Sequence, residues 1–394
     1  MDKKTPIWIL PVIVVSQFCC TSLWFAGNGV MADLAANFGL DENALGHLTS
    51  AVQFGFIAGT LIFATLTIAD RFSPSKVFMF SALIGATFNL GIIWQGNSLA
   101  SLISLRFLTG FFLAGIYPVG MKIAADYYEK GLGKSLGFLV GALVLGTAFP
   151  HLLKDLTGTL PFRFVILSTS GIAVMGGLLM LAAVPDGPYR KAGQRLDLTA
   201  SLKVFRNPGL RSAALGYFGH MWELYAFWAF IPLILKTYSI NNPVSAVNIP
   251  AFSFLIIGIG GISCVIGGYL SLWAGPRKIA FSALLISCLC CIISPFMFGI
   301  RSTTMFIAYL LIWGMAVVAD SPLFSTMVAD NASPEIKGTA LTIVNCIGFS
   351  ITIISIQIIN GLQHVINQNN IYIILALGPV LGLTALANPN IKNH

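Results

Sequence analysis

Charge is scarce in this chain. Asp, Glu, Lys and Arg together make up 9% of its 394 residues, and Asp and Glu number only 14. A water-soluble domain carries about 25% charged residues, so composition excludes a chain built mainly of soluble domains. Polar stretches are short as well: none exceeds about 25 residues, which leaves no room for a sizeable soluble domain. Cysteine is sparse and misplaced for metal or disulfide chemistry. Cys19, Cys20, Cys264, Cys288, Cys290, Cys291 and Cys346 all fall in apolar runs, and none stands at metal-ligand spacing from a histidine. No H-E-x-x-H or G-x-S-x-G pattern occurs, which argues against an intramembrane hydrolase and against an enzyme altogether. No metal or cofactor is expected. The first apolar stretch, Ile7–Val30, is too long for a signal peptide and no small-residue cleavage site follows it, so it reads as a spanning helix.

What the chain has in excess is apolar surface: 56% of its residues are hydrophobic. Gly, Pro, Asn and charge punctuate it into twelve candidate spans, at 7–30, 44–69, 76–95, 100–125, 134–154, 162–184, 209–237, 248–273, 277–299, 303–329, 337–361 and 369–388. The longest interruption, 185–207, falls midway and is basic through Arg190, Lys191, Arg195, Lys203 and Arg206. It divides the chain into an N-terminal six-helix bundle (1–184), a central loop (185–207) and a C-terminal six-helix bundle (208–394).

The net charge of +8 could suggest nucleic acid, but the bases sit in short loops, where they act as an orientation signal. With the N-terminus inside, Lys3, Lys4, Arg71, Lys76, Lys130, Lys134, the central-loop bases, Arg211, Arg277, Lys278, Lys337 and Lys392 share one side, against Lys154, Arg163, Lys236 and Arg301 on the other. The expectation is a multi-pass protein of a bacterial inner membrane, both termini and the central loop cytoplasmic, monomeric, with lipid and a small-molecule substrate as its partners and no nucleic acid.

The halves read as copies. The turn after the second span is Asp70-Arg71-Phe-Ser-Pro74-Ser-Lys76, and the turn after the eighth is Ala274-Gly275-Pro276-Arg277-Lys278. Pro74 aligns with Pro276 and Lys76 with Lys278. Tyr117-Pro118 and Asp126 on the fourth span match Ser321-Pro322 and Asp330 on the tenth at one common offset. Six spans per half make the repeats parallel, with a substrate site near the midplane between them.

On these features the chain resembles the major facilitator superfamily of secondary transporters over its whole length. The family's loop motif, roughly G-x-L-x-D-R-x-G-R-K, is divided between the two turns: Asp70, Arg71 and Lys76 in the first, Gly268, Leu270, Gly275, Arg277 and Lys278 in the second. Arg106-Phe-Leu-Thr-Gly110 looks like the R-x-x-x-G motif of the fourth helix. The resemblance implies an all-α integral membrane fold of twelve transmembrane helices in two parallel six-helix repeats, working by rocker-switch alternating access. It also implies that spans 1, 4, 7 and 10 line the cavity, and that Asp70, Arg71, Lys76, Arg277 and Lys278 form a conformational latch.

Independently, those four spans carry polar or aromatic residues at helical spacing: Gln17, Thr21, Trp24 and Asn28; Arg106, Gly110, Leu113 and Tyr117; Gly216, His220, Glu223 and Phe227; Tyr309, Trp313, Ala316 and Asp320. They also hold nearly all the ionisable residues deep in apolar runs. A carboxylate there costs several kcal/mol, so it marks a cavity or an internal partner. Trp24, Asn28, Arg106, Tyr117, Glu223, Phe227, Trp313 and Asp320 are the candidate substrate contacts. His220, Glu223 and Asp320 are the candidate proton-coupling groups, with His220 and Glu223 sharing a proton across i, i+3. Glu223 is expected to face Arg106's half across water. Lys122 is expected to snorkel, and His151 and Lys154 to sit at an exposed helix end.

Arg106 in one half and two acids in the other would suit a zwitterion. Two acids beside aromatic rings would suit a second cationic group. The expectation is a small polar organic solute, an amino acid and above all a cationic, arginine- or lysine-like one, with proton coupling. Proton-coupled efflux of lipophilic cations, with Glu223 as the exchanging site, and transport of small anions through Arg106 remain open.

Overall fold

A computed structural model describes residues 6–128, 132–190, 205–243, 247–333, 336–363 and 365–387. The central bases Lys191, Arg195 and Lys203, with Lys3, Lys4, Lys130 and Lys392, lie outside the described residues. Every regular element among the described residues is helical. The chain divides into two compact units, Met1–Leu196 and Asp197–His394.

In the first unit the helices are α1 (Ile9–Thr21), α2 (Ala26–Gly29), α3 (Met31–Phe38), α4 (Ala44–Thr65), α5 (Ile68–Arg71), α6 (Pro74–Leu90), α7 (Leu99–Leu113), α8 (Tyr117–Tyr127), α9 (Leu132–Thr157) and α10 (Arg163–Ala183). In the second they are α11 (Pro208–Asn241), α12 (Ile249–Ala274), α13 (Pro276–Met297), α14 (Thr303–Ala319), α15 (Ser321–Asn331), α16 (Lys337–Leu362) and α17 (Leu377–Ala387). Taking α7 with α8 and α14 with α15 as single spans, 10 helices among the described residues are long and apolar enough to cross a membrane. Two further apolar helices, Ile9–Thr21 and Ile371–Ala387, are shorter.

The expected first span is thus not one rod. It breaks over Ser22–Phe25 and again at Val30. Gly27, Asn28 and Gly29 are weak helix formers, and Gly29 has no room for a side chain, since a Cβ there would lie 2.8 Å from the Pro150 side chain on α9. The last span begins as a 3-10 turn, Ile371–Ala376, before α17.

The fourth and tenth spans break at equivalent places. Proline has no N–H to donate and crowds the carbonyl four residues back. Tyr117-Pro118 and Ser321-Pro322 therefore each open a new helix, with the proline in its first turn. The turns matched in sequence agree in the same way: Pro74 starts α6 and Pro276 starts α13. The two copies differ at the approach. Thr67, at φ 50, bends the chain into the short α5, whereas α12 runs straight to Gly275, at φ 83.

Close glycine crossings repeat as well. A Cβ on Gly110 of α7 would lie 2.0 Å from the main-chain oxygen of Val52 on α4, and one on Gly314 of α14 would lie 2.1 Å from that of Ile256 on α12. The separation of Val52 and Ile256 in sequence equals that of Gly110 and Gly314 and that of Pro118 and Pro322. Backbones this close recover dispersion energy that lipid cannot supply selectively, which is why small residues hold such crossings. Gly110→Ala is expected to push α4 and α7 apart and to cost about 2 kcal/mol by overpacking. The apparent melting temperature of the purified protein, compared with Gly338→Ala, where a Cβ meets open space, checks this.

Candidate functional site

Three clusters of buried polar groups are assembled, one in the first unit and two in the second. Each starts from a residue that apolar surroundings would reject without partners.

In the first unit Arg106 lies on α7 and is 1% exposed. Its Nη1 donates to the carbonyl of Leu23 at 3.1 Å and to Asn89 Oδ1 at 3.3 Å, and its Nη2 donates to the carbonyl of Trp24. The break after α1 is the reason. A helix end leaves its last carbonyls unpaired and carries partial negative charge, and Arg106 meets both needs. Asn89 is itself held by α10, donating to Ser170 Oγ at 2.9 Å and Thr169 Oγ1 at 3.3 Å. Arg106 Nε, which faces the Gly27 backbone, has no hydrogen-bond partner among the described residues. No carboxylate among the described residues forms an ion pair with Arg106. Asn28 donates to Thr49 Oγ1 at 2.8 Å, Trp24 packs on Phe56 with ring centroids 4.8 Å apart, and Tyr117, eleven residues beyond Arg106, is buried at the start of α8.

In the second unit Glu223 of α11 is fully buried. Ser287 Oγ donates to its Oε2 at 2.9 Å and Cys291 Sγ to its Oε1 at 3.2 Å, both from α13, and Trp313 Nε1 of α14 also donates to Oε1. Phe227 covers Trp313, with ring centroids 4.5 Å apart. Glu223 therefore sits against its own unit's helices and not across water, which corrects the expected orientation. Three donors from two helices replace the solvation that a water-facing carboxylate would have. Glu223→Gln exchanges one acceptor oxygen for a donor, so at least one of the three donors can no longer donate to residue 223. The expected cost is about 1–2 kcal/mol, readable as a lowered melting temperature that Ser287→Ala partly restores in the double variant.

The shared proton expected for His220 and Glu223 is also redirected. Residues three apart on a helix point about 60° from one another, and here that angle sends them to different neighbours. His220 Nδ1 lies 2.8 Å from Asp320 Oδ1, at the break between α14 and α15. Both side chains are 1% exposed. The main-chain oxygen of Asp320 accepts from Leu323 and Phe324, which starts α15 and holds the carboxylate at the α14–α15 junction. His220 Nε2 and Asp320 Oδ2 have no hydrogen-bond partner among the described residues.

Two further readings change. Lys122 does not snorkel freely: its Nζ lies 2.8 Å from Asp70 and 3.7 Å from Asp126. His151 is buried, and Lys154 pairs with Asp33 at 2.8 Å, so that helix end is not simply exposed. Of the other charged-turn residues, Arg71 donates to Thr67 Oγ1 at 3.1 Å, Arg277 to the carbonyl of Leu386 at 3.1 Å, and Lys278 is exposed in the first turn of α13.

Sequence reasoning missed the uncharged members. Asn89, Ser287 and Cys291 hold the buried charges, and Gln53, fully buried on α4, has both amide atoms without hydrogen-bond partners among the described residues, as does Gln17 on α1. A lone amide inside an apolar run was the available signal for Asn89 and Gln53. Ser and Cys are too common in such runs to signal anything.

The sequence profile of the Major Facilitator Superfamily matches residues 13–356. The chain belongs to that family. That family is one of membrane transporters, and 10 helices among the described residues of this chain are long and apolar enough to cross a membrane. It is 24% identical over 380 residues to the "Probable galactarate/D-glucarate transporter GudP" of Escherichia coli (strain K12), covering 85% of this chain and 83% of that one. It is 27% identical over 175 residues to the 4-hydroxybenzoate transporter PcaK of Acinetobacter baylyi, and 29% identical over 140 residues to the efflux pump FUBT of Fusarium oxysporum. These two matches take in 41% and 34% of this transporter, and only 38% and 23% of the length of the relatives themselves.

Proposed function

We propose that this transporter moves a small organic anion, a carboxylate in the first instance, coupled to protons. The observation that carries the reading is Arg106: a buried guanidinium whose partners are carbonyls and an amide oxygen, with no carboxylate paired to it among the described residues. Uncompensated positive charge in an apolar interior attracts an anion strongly, because the local dielectric is low. Trp24, Asn28 and Tyr117 would flank the bound anion. The relatives named for aromatic and sugar acids support the same class.

His220 and Asp320 would carry the proton. They are adjacent, buried and on different helices, and each keeps a polar atom without a hydrogen-bond partner. Movement of α15 relative to α11 would change their separation, and with it the proton affinity of the pair. The charged turns at Asp70, Arg71 and Lys76 and at Arg277 and Lys278 would serve as the latch of an alternating-access cycle.

A cationic amino acid is the second reading. The pair of acids Glu223 and Asp320, with Phe227 and Trp313 stacked beside Glu223, favours it. Proteoliposome counterflow with labelled 4-hydroxybenzoate, glucarate, arginine and lysine separates the two. Exchange of an acid that is kept in part by Arg106→Lys and lost in Arg106→Met supports the anion reading. Exchange of arginine or lysine, retained in Arg106→Lys and lost in Glu223→Gln, sinks it.

A further inference from the structure

One cavity in the first unit lies apart from the buried clusters of the transport reading, although Arg71 and Lys76 of its lining belong to the proposed latch. It has a volume of about 520 Å³ and opens on the flank of the unit where α4, α5, α6 and α7 meet. Its lining is divided by chemistry. Arg71 and Lys76 stand at one end, and Phe63, Phe80, Ile84 and Phe112 line the rest. Lys76 to Ile84 spans eight residues of α6, about 12 Å along the axis. A charged rim and an apolar trough of that depth fit an amphiphile with an anionic head.

The rim is available for an anion. Among the described residues neither Arg71 nor Lys76 forms an ion pair. Arg71 donates only its Nε, to Thr67. Two acids stand close by and both are paired: Asp70 with Lys122 at 2.8 Å, and Asp186, which accepts from Ser73 Oγ at 2.7 Å, with Arg190. The rim also sits at the start of the 17-residue α6, whose first position is Pro74 and whose cap residue Ser73 makes no side-chain capping bond. The positive end of the helix dipole points the same way as the two cations. The trough is open to the surroundings: Phe80 is 56% exposed and Ile84 38%. Lys and Arg concentrate on this side of the chain, the side that faces the anionic leaflet in a membrane that follows the positive-inside rule.

We propose that this groove is a binding site for one anionic phospholipid, its phosphate on Arg71 and Lys76 and an acyl chain along Phe63, Phe80, Ile84 and Phe112. The site is separate from the buried clusters of Arg106, Glu223 and Asp320, so its occupancy is readable without any transport assay. A lipid there would brace the α5 turn against α6.

Native mass spectrometry of the full chain, released from detergent with equimolar phosphatidylglycerol and phosphatidylcholine of identical chains, tests it. The expected result is a single tightly held phosphatidylglycerol, enriched at least fivefold over phosphatidylcholine. Arg71→Gln with Lys76→Gln should abolish the enrichment. Ile84→Trp, which fills the trough and keeps the charges, should lower retention of both lipids. Enrichment unchanged in both variants would overturn the proposal, because the lipid would then be held elsewhere on the surface. Displacement of the phosphatidylglycerol by soluble glycerol phosphate would overturn it too, since the site would then read a phosphate and not a lipid.

Discussion

Arg106→Met is expected to lower the apparent melting temperature of the purified transporter by roughly 8–12 °C, the equivalent of about 3–5 kcal/mol in a unit of this size. The side chain is the joint of the first unit. It ties α7 to the open end of α1 through the carbonyls of Leu23 and Trp24, and to α6 through Asn89. Methionine fills similar space but leaves two carbonyls and an amide oxygen without their donor in a buried site. Arg106→Lys separates structure from ligand binding. A lysine is a point cation on a flexible stem and cannot serve three acceptors from one plane. It should recover about half of the lost stability while keeping the positive charge. If the bond set is what matters to folding, both variants melt early, in the order Met before Lys before wild type. A melting temperature unchanged in Arg106→Met would show that the carbonyls find other donors and that the joint carries little.

Asp320→Asn is expected to reduce solute accumulation driven by an imposed proton gradient by about 100-fold, a change of about 2.7 kcal/mol. Exchange of solute without a gradient should stay within about threefold of wild type. Asparagine is nearly isosteric with aspartate, so the α14–α15 junction and the capping carbonyl of Asp320 persist. What disappears is the carboxylate that, in the proposed cycle, would exchange a proton with His220. His220→Gln should reproduce the phenotype, and the double variant should be no worse than either single one, because a proton shared by a pair is lost once. Paired driven-uptake and counterflow measurements in proteoliposomes decide this. Gradient-driven accumulation that survives in Asp320→Asn would move the coupling site elsewhere, with Glu223 the next acid to test.

Different buried groups were legible to different degrees, for reasons that can be traced residue by residue. In sequence Pro118 and Pro322 read only as matched positions of the two halves, within continuous spans, yet proline's own covalent geometry opens a new helix at each. Arg106, Glu223, His220 and Asp320 were identifiable because charge in an apolar run is rare and costly. Their partners were not. The i, i+3 spacing of His220 and Glu223 suggested one shared site, yet the two side chains serve different helices. Whether Glu223 meets water, a histidine or the Ser287–Cys291–Trp313 set depends on the rotation of α11 about its axis and on which helix lies alongside, and a stripe on one helix carries neither quantity. The break over Ser22–Phe25 was missed for a related reason. Glycine and asparagine weaken a helix only slightly, and here the break is stabilised by a cation from α7, more than eighty residues away.

By itself the sequence determined that this protein lives in a bilayer, that prolines stand at matching places in its fourth and tenth spans, and that a handful of ionisable residues must be satisfied inside. All of these follow from local quantities: hydropathy over the length of a span, the spacing of prolines, and the cost of burying charge. Only the tertiary structure decided how each of those residues is satisfied. Arg106 went to the frayed end of α1, Glu223 to three donors on α13 and α14, and His220 to Asp320. A buried polar group takes the partner that reaches it first in space, and distance in space is a property of the packed helices and not of any one of them.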